Sequence, residues 1–137
     1  MPFNADMHEY CNVARHHTQL LPAQTKFNHG LREFRRARPW LRGNLGERDR
    51  FDYKRPVDGT VLFTSLRHGP DGEQVFMVAH MEGGPTGDFD PLRLPIQGLE
   101  GFGWHVALRT PPIGPEFIGG PISLQDSMAL VYTRAPG

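Results

Sequence analysis

Seven histidines are the chain's main supply of reactive side chains. His8, Cys11, His16 and His17 fall on one predicted helix, and His8 and Cys11, three residues apart, share a face as ligands of one metal ion do. The stretch His8-Glu9-Tyr10-Cys11-Asn12 is not HExxH, and no further ligands stand close by, so ordinary surface histidines are the plainer reading. A serine nucleophile needs a histidine base and an acid in reach. Ser65, Ser123 and Ser127 sit in or beside predicted strands, and none lies in a G-x-S-x-G elbow. Cys11 lacks catalytic flanking sequence. Glycoside hydrolysis needs two carboxylates about 5 to 10 Å apart, for which Asp71, Glu73, Asp88 and Asp90 qualify by residue type alone. Asp71 reads better as a turn residue, and Asp88 and Asp90 flank Phe89 in a loop. Gly98, Gly101 and Gly103 precede a strand, not a helix, and no GxxxxGK[ST] occurs, so no phosphate loop is expected. The residues therefore assign no catalytic group, no metal site and no cofactor.

Binding chemistry is more visible. Arginines crowd the stretch from Leu31 to Arg42, and Arg32, Arg35 and Arg36 form a candidate interaction face for phosphate groups or an acidic partner. The simpler alternative is a solvated helix face. Trp40 and Trp104 are candidate sugar-stacking platforms, yet Trp104 alternates with Val106 and Leu108 like a core residue, and Trp40 follows Pro39 where a helix meets the sheet. Lys and Arg total 15, as do Asp and Glu, so the formal charge is zero and nucleic acid is not an expected partner. A single cysteine forms no internal disulfide. No apolar run approaches the ~20 residues of a membrane span, and the first residues do not read as a signal peptide. A cytoplasmic location is the expectation.

The elements that must position these groups divide into a helical segment, residues 1–44, and a β domain, residues 45–137. Residues 5–21 read as one helix. A second starts near Pro22 and ends before Pro39, with Phe27, Leu31 and Phe34 on one face and Arg32, Arg35 and Arg36 mostly off it. Gly30 inside that helix costs about 1 kcal/mol relative to alanine, which a close packing neighbour would explain. From about Arg50 the pattern changes to strand. Thr60 to His68 and Glu73 to Met81 flank Gly69-Pro70-Asp71-Gly72 and read as a β-hairpin. The second of these strands is apolar on both faces and so should be central. Leu92 to Ile96 reads as a short edge strand, Trp104 to Arg109 as a strand with Trp104, Val106 and Leu108 on one side, Pro121 to Leu124 as a short strand, and Ser127 to Thr133 as the last. Short strands without intervening helices predict a mainly β fold: an antiparallel β-sandwich preceded by one or two α-helices.

Several stretches resemble the alpha-amylase family of glycoside hydrolases. Leu31 to Gly43 looks like that family's last barrel helix and its "HPALR-G" exit. Phe63 to Ala79 is similar to the first hairpin of its C-terminal β-sandwich, Trp104 to Leu108 to a middle strand, and Ile122 to Tyr132 to the closing strands. The resemblance covers residues 27–134 and departs at His80-Met81, where the family tends to have asparagine before an aromatic residue. Residues 1–26 show none. The family's catalytic carboxylates sit on a barrel of roughly 250 residues, which does not fit in this chain, so the resemblance implies a fold and no active-site residue. It implies a non-catalytic accessory or structural module that meets a protein partner in a larger assembly. The alternatives are a carbohydrate (alpha-glucan)-binding module and a detached domain of a glycoside hydrolase.

Overall fold

The computed structural model describes residues 22–43, 45–54, 61–110, 113–114 and 116–136. The expected helix over 5–21, with His8, Cys11, His16 and His17, lies outside the described residues. Helix α1 spans Pro22–Arg36. A proline is welcome in its first turn, because the missing N–H would have had no helical partner there. Ala37 closes the last turn onto Glu33, and Pro39–Arg42 forms a 3-10 turn. Among the described residues five strands follow: β1 (Arg50–Lys54), β2 (Val61–His68), β3 (Gln74–Glu82), β4 (Trp104–Arg109) and β5 (Met128–Arg134). They form one antiparallel sheet in the order β1-β2-β3-β5-β4. The fold is thus mainly β with a helix ahead of the sheet, as the sequence pattern implies. The hairpin β2–β3 pairs His68 with Gln74, and Gly72 supplies the left-handed residue of its turn (φ 91°). Strand β3 is central, in keeping with its two apolar faces.

Alternation sends the two halves of each strand to different neighbours. Leu62, Leu66, Phe76, Val78, Leu130 and Tyr132 face the chain between β3 and β5 and are fully buried against Ile96, Leu99 and Leu124. Phe76 stacks on Tyr132 at 6.0 Å and meets the Trp104 ring edgewise at 6.3 Å. The layer over this face is irregular chain, not a second full sheet. It is stitched by a two-way bridge between Phe89 and Ile122 and by Thr86, which exchanges bonds with Leu124.

Three local expectations are corrected. Pro121 to Leu124 is not a strand and keeps only the bridge of Ile122 to Phe89. Leu92 to Ile96 is not a strand. Asp90 accepts from the Leu92 N–H and Pro91 fixes the first position, so the chain turns into a 3-10 helix, Pro91–Arg93. Leu108 does not share a side with Trp104 and Val106. A bulge leaves Ala107 without a partner, so Val106 pairs with Tyr132 and Leu108 with Val131, on the opposite face. That face carries α1, and Leu108 Cδ2 lies 3.1 Å from where a Cβ on Gly30 would stand. This close approach is the reason for the glycine.

Candidate functional site

One end of the sheet gathers polar side chains into a single cross-strand row. Register places His68 beside Gln74, Gln74 beside Arg134, and Arg134 beside Trp104. The order of the bonds follows from what each group can donate. Arg134 Nε donates to Gln74 Oε1 at 2.6 Å, which turns the Gln74 amide nitrogen toward His68 Nε2 at 3.0 Å. His68 Nε2 must then accept, so its proton sits on Nδ1 and is donated to Asp49 Oδ1 at 3.1 Å. Asp49, its side chain only 4% exposed, also accepts from the backbone N–H of His68 and of Gly46 and from Arg67 Nε. Burial pushes its pKa up, but the N–H of Gly46, the ring and N–H of His68, and Arg67 outweigh that and hold it below the ordinary carboxylate value.

At the other end of the row, Arg134 stacks over Trp104 at 4.4 Å and donates to the carbonyls of Gly98 and Glu100. Burial draws its pKa down against the opposing pull of Glu100. The Trp104 indole N–H donates to Leu99. This pedestal supports the tip Gly101-Phe102-Gly103, whose glycines have φ of 110° and 95° and whose Phe102 is 98% exposed.

An Asp–His pair is half of a hydrolytic triad, but among the described residues no hydroxyl or thiol bonds to this histidine. Nε2 of His68, the atom that would take a proton from a nucleophile, holds the Gln74 amide instead. Ser65 is on the opposite face of the sheet. The row therefore fixes a loop. His80, at the other end of the same face, is fully buried with Nδ1 3.1 Å from the Val61 carbonyl and Nε2 2.5 Å from that of Gly84. It pins the turn after β3, with Asp126 3.4 Å away.

The helix-covered face differs. A cavity of about 230 Å³ lies between α1 and the sheet, walled by Leu31, Phe34, Leu41, Val75, Val131 and Ser65. A groove of about 440 Å³, lined by Arg32, Arg35, Arg42 and Asn28, shares Leu31 and Arg35 with it. Of the arginines singled out from the sequence, Arg32 and Arg35 thus meet at the groove, while Arg36 pairs with Glu33 at 2.8 Å. Arg38 lies over the Phe34 ring and grips Glu73 with a two-pronged contact at 2.9 and 3.0 Å, clamping α1 to the hairpin. Trp40 is half-buried over the hairpin turn, and a Cβ on Gly69 would stand 2.8 Å from its ring. Trp104 is also half-buried.

Sequence reasoning missed Asp49, Gln74 and Arg134, because Gln74 and Arg134 meet only through the pairing of β3 with β5 and Asp49 joins the row only through His68 on β2. It placed Arg42 in the arginine-rich stretch but outside the interaction face, and it missed Phe102, although Gly-Phe-Gly was a readable signal for an aromatic raised on a turn. Among the described residues, no His, Cys, Asp and Glu cluster fits a metal ion, and no helix is long and apolar enough to cross a membrane.

A family model described as "Hypothetical glycoside hydrolase 5" matches residues 1–122, including the first 26, for which the sequence offered no resemblance. No curated protein and no solved structure matches the chain.

Proposed function

This chain belongs to the family described as hypothetical glycoside hydrolase 5, and on that premise we propose that it is a non-catalytic accessory module which packs against a partner protein. It is a glycoside-hydrolase-related β domain. The single observation behind the non-catalytic reading is that four carboxylates set against the sheet and its connections are already engaged. Hydrolysis requires one carboxyl free to give a proton and a second free to attack or to activate water. Asp49 accepts four bonds from its surroundings, Glu73 is held by Arg38, Asp90 caps a 3-10 turn and Asp126 holds the Gly84 N–H. The likeness of residues 27–134 to the C-terminal sandwich of the alpha-amylase family supports the same reading, since that domain packs on a barrel and performs no chemistry.

A second reading, alpha-glucan binding, is favoured by Phe102, an open aromatic on a rigid pedestal. Reducing-sugar release from soluble α-glucan and from nitrophenyl glycosides tests the first. The expected result is no turnover above blank, together with a stoichiometric complex on gel filtration with a protein purified from the native cell. Turnover that disappears in Asp88→Asn or Glu116→Gln overturns it. Retarded electrophoretic migration in amylopectin gels, lost in Phe102→Ala, establishes the second.

A further inference from the structure

We propose that the groove of Arg32, Arg35 and Arg42, with the apolar cavity beside it, docks an acidic peptide segment of a partner protein that carries one aliphatic anchor. The proposal rests on the accessory-module reading and supplies the chemistry of the partner. Arg32 and Arg35 stand three apart on α1 and project to one side, and Arg42 joins them from the 3-10 turn. None of the three forms an ion pair among the described residues. Their neighbours Arg36, Arg38 and Arg67 are paired with Glu33, Glu73 and Asp49. The whole chain has a formal charge of zero, so this is a local excess of like charge, relieved by anions brought from outside.

Each guanidinium takes a carboxylate on its fork, so three of them suit several carboxylates spaced along one ligand. The adjoining cavity of about 230 Å³ is walled mainly by apolar side chains, Leu31, Phe34, Val75 and Val131 among them, with Arg67 also on its lining and Arg35 where it meets the groove. A leucine-sized side chain there gains burial that the sheet face otherwise lacks. An acidic polysaccharide supplies the anions but nothing apolar to fill the cavity, and a nucleic acid offers a flat base instead of a branched aliphatic group. The peptide matches both halves.

The test is fluorescence anisotropy of the full chain with a labelled Glu-Glu-Leu-Glu-Glu peptide. We expect saturable binding that weakens as salt rises from about 50 to 200 mM. Affinity should fall at least about tenfold in Arg35→Glu, and should also fall when the peptide leucine is replaced by alanine. Ser65→Leu, which narrows the cavity from the sheet side, should erase the preference for leucine and keep the salt dependence. If that variant does not fold by circular dichroism, the alanine peptide on the unaltered chain makes the same comparison. No binding overturns the proposal, including the case in which the chain's own first residues occupy the groove. So does binding indifferent to Arg35→Glu, or tighter Arg35-dependent binding of polygalacturonate or single-stranded DNA. A failed peptide titration leaves the accessory reading intact if the native complex still forms, whereas glycoside turnover removes that reading without touching the peptide result.

Discussion

The two faces of the sheet are finished to different degrees. On the face toward the β3–β5 connection, Leu66, Phe76, Val78 and Leu130 have no exposure at all, and a closed polar row seals the end. On the face toward α1, Val75 and Val131 are buried, yet Ser65 and Met77 are half-buried, Phe51 is 60% exposed and Met81 52%. The geometry explains the difference. Five strands at about 4.8 Å spacing make a surface about 19 Å wide, whereas one helix is about 10 Å across. The long connection drapes over its whole face because it is tethered at both ends. Among the described residues a single helix covers the other face and leaves a margin. Stability belongs to the first face, and the docking we propose belongs to the second.

Truncation on each face should expose this difference most visibly. Phe76→Ala removes a fully buried ring that touches both Tyr132 and Trp104, and should cost about 3 to 5 kcal/mol. Leu31→Ala, beside a cavity that already exists, should cost about 1 kcal/mol. Urea unfolding of both variants measures the difference. Equal losses would mean that α1 belongs to the core as firmly as the connection does.

This contrast also divides what the sequence made legible from what it did not. The hairpin, the central position of β3 and the extent of α1 follow from short-range patterns: Gly69 to Gly72 between two β-branched runs, and Phe27, Leu31 and Phe34 at helical spacing. Gly30 even announced a close neighbour. The polar row was invisible, because Gln74 and Arg134 are sixty residues apart and meet only through the β3–β5 pairing. The bulge at Ala107 was equally hidden. One unpaired residue reversed the side of Leu108 without leaving a mark in the alternation. The arginine face was half legible: helical spacing grouped Arg32, Arg35 and Arg36, but Glu33 withdraws Arg36 and the 3-10 turn supplies Arg42 instead.

Asp49→Ala tests the end of the row. It leaves Arg67, the backbone N–H groups of Gly46 and His68 and the His68 ring N–H without their acceptor, but Arg67 keeps its bonds to the carbonyls of Trp40, Leu41 and Gly43. A loss of about 2 kcal/mol is expected. The effect carries a pH signature. The folded state holds this carboxyl below its ordinary value, so on acidification the unfolded chain binds the proton first. The contribution is complete above about pH 4 and is lost as the pH falls through the lower, folded value. Thermal melts of wild type and Asp49→Asn should therefore converge toward acid. A gap that widens there would contradict the assignment.

A smaller effect probes how α1 is fastened. Gly69→Ala should cost about 1 to 2 kcal/mol, because the new methyl displaces the Trp40 ring from the hairpin turn. In a Trp40→Leu background the same substitution should cost almost nothing, a coupling that a double-mutant cycle reads directly.

The finest test concerns a flaw on the better-finished face. Tyr132 is 1% exposed, and its hydroxyl has no hydrogen-bond partner among the described residues. Burial first, and the Asp90 carboxylate second, push the phenol's pKa up, so it stays protonated and demands an acceptor it does not have. An unsatisfied buried hydroxyl weakens a fold, and removing it while keeping the ring retains the stacking on Phe76. Tyr132→Phe should therefore match the wild type in urea or exceed it by up to about 1 kcal/mol. A clear loss would reveal a bond to that hydroxyl and move part of the sealing from the polar row into the core itself.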